Sequence, residues 1–303
     1  MSAHDGSVKV ILFALGANFG IALSKLGGAL YTGSASLVAE AIHSFVDCAN
    51  QLLLLWGGKV SKKAPDATHQ LGYGREAFFW SFMVAIFLFT LGGIFSIYEG
   101  VHKLHGEEGL ESPGVALAIL LFGMALEGVS FTACLKEVKE RNRFGSYWAW
   151  FRKTTDADLL VIFTEDLAAM VGLTMAALCV SAAWYTGDPF WDALGSILIG
   201  TLLVVMAALL GSEIKSLIIG EAPSRDLRAE VEAALATRLP GAKVLNLIAL
   251  MTGPGEVMVS YKIDPGPVGT AAELIAAIND VEADVRRRAP EVRWQFVEPD
   301  TEA

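Results

Sequence analysis

One apolar stretch of the sequence carries polar and ionisable residues at regular helical spacing. In "ASLVAEAIHSFVDCANQ" these residues are Ser36, Glu40, His43, Asp47 and Asn50, separated by four, three, four and three positions. At about 100° per residue, this spacing places all five on one face of a single helix. His43 and Asp47 then lie one turn apart, so an imidazole nitrogen and a carboxylate oxygen can reach the same ion.

A second apolar stretch, "DLLVIFTEDLAAMVGL", contains two adjacent carboxylates, Glu165 and Asp166. A charge within a membrane-spanning helix costs roughly 2.5–3.5 kcal/mol on insertion scales, so two carboxylates there require a cation or protons to compensate them. One histidine with two or three carboxylates is a ligand set for a divalent metal ion and suits Zn²⁺, Mn²⁺, Fe²⁺ or Co²⁺. The alternative is a set of hydrogen bonds that only joins neighbouring helices.

The composition indicates what kind of elements hold these residues. The chain has 303 residues, of which 53% are hydrophobic and 18% are charged, against about 25% charged residues in an average soluble domain. The net charge of −10 argues against nucleic acid as a partner, because phosphate binding needs basic patches. Six stretches have the roughly 20 apolar residues that a helix needs to cross a lipid bilayer. They are Val8–Leu30, Ser34–Gly57, Ala77–Val101, Pro113–Leu135, Ala157–Thr186 and Phe190–Gly211.

The last part of the chain has the pattern of a small soluble domain. We therefore expect a six-helix transmembrane domain at residues 1–221 and an α+β domain at residues 222–303, here called the tail. Its pattern predicts a helix from Pro223, two strands around a Gly-Pro-Gly turn, a second helix and a closing strand. Lysine and arginine are concentrated in the connections 57–76 and 136–156. By the positive-inside rule, both termini and the tail lie in the cytoplasm. We expect a multi-pass protein of a bacterial inner membrane.

Three motifs resemble the cation diffusion facilitator family, whose members are proton-coupled exporters of zinc and related divalent metals. The motifs are "TGSASLVAEAIHSFVD", "PDATHQLGYGREAFFW" and "DPFWDALGSILIG". With "TGPGEV" and "FVEPD" in the tail, the chain is similar to the branch that contains the mitochondrial zinc transporter. The resemblance implies an all-α bundle of six transmembrane helices, a ferredoxin-like, metallochaperone-like tail and a homodimer. Carried over by position, it makes His43, Asp47 and Asp166 ligands of the transported ion.

The chain departs from the family pattern at one ligand. The usual partner lies four residues before Asp166, where this sequence has Ile162. We expect Glu165 to replace it, although on a regular helix Glu165 points about 100° away from Asp166. Glu127 and Asn18 are the alternatives by chemistry. We also expect Ile162→His to shift selectivity towards Zn²⁺, because it adds a softer nitrogen ligand.

Asp66 and His69 form a second candidate metal site, in the connection where relatives of this family hold another metal ion. Tyr73 stands where a further histidine often lies in the family. The other interpretation of this segment is an ordinary solvated loop.

The sequence thus predicts a secondary transporter, not an enzyme, that exports a divalent metal ion in exchange for protons and has no cofactor. Zn²⁺ is the first candidate and Mn²⁺, Fe²⁺ or Co²⁺ the alternatives. An intramembrane metalloenzyme would need a metal-bound water and a general base, and the sequence has no HExxH motif. A non-transporting, metal-regulated membrane protein is the third hypothesis, and Ile162 is its best argument.

The tail contains neither histidine nor cysteine, which are the ligands that Zn²⁺ prefers. We therefore expect the tail to form a permanent dimer without metal, through an apolar contact that uses either the sheet edge or the face near Trp294 and Phe296.

Overall fold

Long α-helices make up most of the first 219 residues. The computed structural model describes the backbone of residues 3–105 and 111–302, and the side chains of 15, 16, 18–105 and 111–302. The helices in this part of the chain are α1 (Ala3–Thr32), α2 (Ala35–Val60), α3 (Glu76–Phe87), α4 (Phe95–Leu104), α5 (Pro113–Arg141), α6 (Tyr147–Lys153), α7 (Ala157–Thr186) and α8 (Phe190–Ile219). A π-helical segment, Leu88–Ile94, joins α3 directly to α4.

Five of the six apolar stretches predicted from the sequence each lie in one long helix, apart from Ser34, which directly precedes α2. The third stretch, Ala77–Val101, spans α3, the π-helical segment and α4. Within the described residues, four helical spans have the length and hydropathy to cross a membrane: Glu76–Leu104, α5, α7 and α8. Helices α1 and α2 are not among these four spans. The side chains at 8–14 of α1 lie outside the described residues, and α2 carries the polar residues discussed above. The count of six spans therefore stays a prediction. Helix α6, in the connection between α5 and α7, is a feature that the sequence analysis did not predict.

The chain divides into two compact units. Unit 1 comprises Met1–Trp56, Trp80–Arg152 and Asp158–Glu213, and unit 2 comprises Gly57–Phe79, Lys153–Ala157 and Ile214–Ala303. Unit 2 thus includes the loop between α2 and α3 in addition to the tail.

Glycines let two elements of unit 1 approach closely. A Cβ atom added at Gly200 of α8 would lie 2.7 Å from the carbonyl oxygen of Gly93, in the π-helical segment. A Cβ atom added at Gly93 would lie 2.7 Å from Cγ2 of Val204. Small residues of this kind are what allow helices to pack closely in membranes, where the hydrophobic effect does not drive helices together.

The first turn of α2 is fixed by a buried carboxylate of α8. Asp192 accepts hydrogen bonds from the Ser34 hydroxyl at 2.7 Å and from the Ala35 backbone N–H at 2.6 Å. The Lys103 ammonium lies 3.1 Å from the same carboxylate. An anion at a helix N-terminus satisfies backbone N–H groups that lack partners within the helix and interacts favourably with the helix dipole. Asp192 therefore orients α2.

The tail contains α9 (Leu227–Arg238), β1 (Lys243–Gly253), β2 (Glu256–Asp264), α10 (Ala271–Arg288) and β3 (Val292–Pro299). The predicted order of helix, two strands, helix and strand is confirmed. The central strand β2 pairs antiparallel with β1 and parallel with β3. The first helix begins at Leu227 and not at Pro223, because the Asp226 side chain caps it by accepting from the backbone N–H groups of Arg228 and Ala229.

Within unit 2, the loop before α3 packs against the β1–β2 hairpin backbone to backbone. A Cβ atom at Gly74 would lie 2.5 Å from the Thr252 carbonyl oxygen, and one at Gly253 would lie 2.7 Å from the Gly74 Cα atom. Neither position has room for a side chain.

Gly253→Ala should therefore destabilise the protein by about 1–3 kcal/mol, the usual cost of overpacking. The measurement is thermal unfolding of the full chain in detergent, with proteolytic cleavage of the loop at 61–75 as a second readout. Gly58→Ala is the matched control, since a Cβ atom there meets nothing within 4 Å. Equal melting temperatures for the two variants would contradict the close contact.

Candidate metal centre

The polar face of α2 is buried in unit 1, as its spacing predicted. Ser36, Glu40 and Asn50 have no exposed surface, and His43 is 1% exposed. The side chain of Asp47 is 16% exposed. We call this face, from Ser36 to Asn50, the polar seam.

Several atoms of the polar seam have no hydrogen-bond partner among the described residues. They are Oε1 of Glu40, both ring nitrogens of His43, Oδ1 of Asp47 and Oδ1 of Asn50. The His43 Nδ1 and Asp47 Oδ1 atoms lie 3.5 Å apart. Buried polar atoms are nearly always hydrogen-bonded, so five unpartnered atoms on successive turns of one helix require a specific reason. Donor atoms that face a common ion are such a reason.

Glu165 of α7 faces the polar seam. Its carboxylate accepts a hydrogen bond of 2.5 Å from Nδ2 of Asn50, and the residue is 7% exposed. Asn50 follows Asp47 by three positions on α2, so this bond brings the carboxylate of α7 to the turn next to the His43–Asp47 pair. Glu165 therefore contacts the polar seam through Asn50.

Asp166 points towards α5 and not towards α2. Both of its carboxylate oxygens lie near the Ser130 hydroxyl, at 3.3 and 3.4 Å, and the residue is half-buried. Helix α7 continues without a break, so the adjacent residues Glu165 and Asp166 keep the 100° separation of a regular helix. Glu127 precedes Ser130 by three positions and shares its face of α5. Glu127, one of the two alternative ligands named above, therefore lies on the side of α5 that Asp166 contacts.

The structure argues against the expectation for Ile162. Its side chain is 41% exposed, whereas Glu165, three positions later, is buried. A histidine at position 162 would lie on the exposed side of α7 and would not join His43 and Asp47. The structure therefore does not support the expected shift of metal selectivity in Ile162→His.

The predicted ligands are thus brought together in part. His43 lies beside Asp47, and Glu165 is joined to the polar seam through Asn50, while Asp166 contacts Ser130. In the part of the chain that the structure describes, no three side chains of histidine, cysteine, aspartate or glutamate are close enough to hold one ion.

Comparison with known proteins identifies the family of the chain. Residues 11–219 match the family model of the cation efflux transmembrane domain. The chain belongs to the cation diffusion facilitator family. The family that the three sequence motifs indicated is thereby confirmed, and the four apolar spans described above make the chain a membrane protein.

Three relatives show how far the similarity of this cation diffusion facilitator extends. The "Proton-coupled zinc antiporter SLC30A9, mitochondrial" of Xenopus laevis is 34% identical over 210 residues, which are 68% of this chain and 37% of the relative. "Metal tolerance protein C4" of Arabidopsis thaliana is 31% identical over 264 residues, or 85% of this chain and 57% of the relative. "Zinc transporter ZitB" of Escherichia coli is 27% identical over 262 residues, 85% of this chain and 78% of the relative. The chain thus spans only about 37% to 57% of the length of the first two relatives.

The second candidate site, at Asp66 and His69, uses its carboxylate within the loop. Asp66 accepts hydrogen bonds from the Tyr73 hydroxyl at 2.6 Å and from the backbone N–H groups of Thr68 and His69 at 2.9 and 2.8 Å. The Tyr73 hydroxyl, together with these N–H groups, holds the pKa of Asp66 well below its usual range. The His69 ring nitrogen Nδ1 is 3.9 Å from the Asp66 carboxylate. These contacts favour the interpretation as a structured loop over a metal site.

Sequence reasoning assigned no role to Lys25 of α1, which the structure places in the same region of unit 1. It is 1% exposed, and its ammonium lies 3.3 Å from the Glu40 carboxylate and 2.8 Å from the Ser44 hydroxyl. The signal in the sequence was a lysine within the apolar stretch Val8–Leu30.

His43→Ala and Asp47→Asn should each weaken the binding of Zn²⁺ at least about a hundredfold, because each removes a ligand. The measurement is equilibrium binding by the full chain in detergent. His105→Ala, which removes an exposed histidine at the end of α4, is the control and should bind as the wild type does. Unchanged binding by Asp47→Asn would show that the ion binds elsewhere.

Glu165→Gln should weaken Zn²⁺ binding at least tenfold, and Asn50→Ala should weaken it about 10- to 100-fold, as removal of a group that orients a metal ligand does. Ile162→His should leave binding unchanged, since its side chain is exposed. The measurement is again equilibrium binding of Zn²⁺ by the full chain in detergent. An Ile162→His variant that binds more tightly while Glu165→Gln binds normally would reverse the assignment on α7.

Proposed function

We propose that this chain is a secondary transporter that exports a divalent metal ion, with Zn²⁺ as the first candidate, from the cytoplasm in exchange for protons. The observation that carries the proposal is the polar seam, where buried atoms of His43, Asp47 and Asn50 have no partner within the described residues. The names of two relatives, a proton-coupled zinc antiporter and a zinc transporter, support the same function.

The chemistry of the ligands links metal binding to protons. A neutral His43 imidazole and the ionised carboxylates of Asp47 and Glu165 bind the ion, so the ligands must lose their protons first. Without the ion, two buried carboxylates are costly and take up protons instead. Metal and protons therefore compensate the same charges alternately. Protonation from the outer side favours release of the ion, and protonated ligands favour the return of the empty site.

Alternating access follows if the helices rock around this site and open it to one side of the membrane at a time. We propose that Asp166 takes part in this cycle as a ligand when the site opens to one of the two sides of the membrane, since it directly follows Glu165 on α7. Its contact with Ser130 would then be exchanged for the ion.

The ligand set suits several metals. One imidazole nitrogen with carboxylate oxygens binds Zn²⁺, and it also accepts Mn²⁺, Fe²⁺ or Co²⁺, which tolerate harder ligands. Competition among these metals has to be measured directly.

We further propose that the chain crosses the membrane six times, with both termini in the cytoplasm, in the inner membrane of a bacterial cell. The distribution of lysine and arginine between connections supports this orientation. Helices α1 and α2 supply the two spans beyond the four that hydropathy identifies among the described residues.

The homodimer is proposed from the open face of the sheet in the tail. Val257, Val259, Tyr261 and Ile263 of β2 are buried on one face. On the other face, Ile248, Ser260 and Phe296 form one cross-strand row, and Ile248 and Phe296 are more than half exposed. Exposed apolar rows of this kind on a sheet are typical of a protein interface.

Transport should be measured in proteoliposomes of the full chain with a pH-sensitive dye in the lumen. With an acidic lumen, added Zn²⁺ should enter while the lumen becomes more alkaline, because protons leave in exchange. Vesicles with Asp47→Asn should show neither change. Zn²⁺ uptake without any change of pH would rule out proton exchange, and absence of uptake by the wild type would rule out transport.

Phe296→Glu should convert the full chain in detergent from a dimer to a monomer, because it places a charge in the apolar row. Ile275→Glu is the matched control, since Ile275 is exposed on α10, away from that row. Sedimentation with EDTA and with excess Zn²⁺ should give the same mass for the wild type. A wild type that dimerises only when Zn²⁺ is added would contradict the expected metal-independent contact.

A further inference from the structure

The buried ion pair of Lys25 and Glu40 has no part in the metal chemistry described above. The ammonium lies 3.3 Å from Oε2 of Glu40 and 2.8 Å from the Ser44 hydroxyl, and neither charged residue is more than 1% exposed. A buried ion pair seldom adds much stability compared with apolar side chains of the same volume, because both charges must be removed from water. Stability alone is therefore a poor explanation for this pair.

The position of the pair connects it to the polar seam. Glu40 precedes His43 by three positions and lies one helical turn from it on the same face of α2. Ser44, which accepts a hydrogen bond from the ammonium, follows His43 directly. The second carboxylate oxygen of Glu40, Oε1, is buried and has no hydrogen-bond partner among the described residues. Glu40 thus has an oxygen free next to the proposed ligands.

Two glycines on neighbouring helices make room for the pair. A Cβ atom added at Gly123 of α5 would lie 3.2 Å from Cε of Lys25. A Cβ atom added at Gly172 of α7 would lie 2.6 Å from Oε1 of Glu40. Glycine within a helix is unfavourable, so its presence at both positions indicates that the space for the pair is required.

We propose that Lys25 is a tethered cation that keeps Glu40 out of the ligand set of the transported ion. With the ammonium in place, the negative charge of Glu40 is compensated, and the ion is held by the ligands proposed above without Glu40. A further free carboxylate would bind a divalent ion more tightly and slow its release. Lys25 therefore determines how tightly the ion is held, and the inference rests on the proposed transport function.

Four variants of the full chain test this role through the Kd for Zn²⁺ in detergent and through kcat and KM in proteoliposomes. Lys25→Met removes the ammonium but keeps the apolar stem, so the Kd should fall at least tenfold and kcat should fall at least tenfold. Glu40→Gln leaves the positive charge unbalanced beside the site, so the Kd should rise at least tenfold. The double variant Lys25→Met with Glu40→Gln removes both charges and should return the Kd to within about threefold of the wild type.

Lys262→Met is the control, because it removes a lysine that is paired with a carboxylate outside unit 1. The Lys262 ammonium lies 2.8 Å from the Asp300 carboxylate, and both residues belong to unit 2. The Kd of this variant should equal that of the wild type.

A wild-type Kd in both Lys25→Met and Glu40→Gln would overturn the inference and leave the pair with a structural role only. If Lys25→Met does not fold, Glu40→Gln and the double variant decide, since recovery of the Kd in the double variant is expected only from charge compensation. A double variant as weak as Glu40→Gln would make Glu40 a direct ligand and would also overturn the inference. A wild type that neither binds nor moves Zn²⁺ would overturn the proposed function itself, which is a separate outcome.

Discussion

Compensation of buried charge is the constraint on which the arrangement of unit 1 depends. Asp192 is compensated by the start of α2 and by Lys103, and Glu40 is compensated by Lys25. The atoms of His43 and Asp47 in the polar seam have no such partner among the described residues. This difference separates the carboxylates that hold helices together from those that are available to an ion.

A few polar contacts and small residues give the membrane helices their relative positions. The cap of α2 by Asp192 fixes where the polar seam begins, and the bond between Asn50 and Glu165 fixes which face of α7 meets it. Gly123 and Gly172 leave space for a buried ion pair where α5 and α7 approach the seam. Small side chains and a few strong polar contacts do the positioning in a bundle in which most surfaces are apolar.

The polar seam could be predicted from the sequence because all of its members lie on one helix, whose geometry is fixed by a period of 3.6 residues. The directions in which the side chains of Glu165 and Ile162 point could not be predicted, since they depend on how α7 is rotated against α2. The partner of Lys25 is 15 positions away on another helix, and no local pattern indicates such a contact. In the tail, alternation of apolar residues and the Gly-Pro-Gly turn were sufficient for the order of elements. The start of α9 was missed because the capping role of Asp226 was not considered.

We propose that one imidazole and several carboxylates, with no sulfur, bind the transported ion. X-ray absorption of the Zn²⁺-loaded chain reports the atoms around the ion. We expect nitrogen and oxygen neighbours at about 2.0–2.2 Å with the outer-shell signature of one imidazole, which disappears in His43→Ala. A neighbour at about 2.3 Å, typical of sulfur, or an imidazole signature that persists in His43→Ala would contradict it.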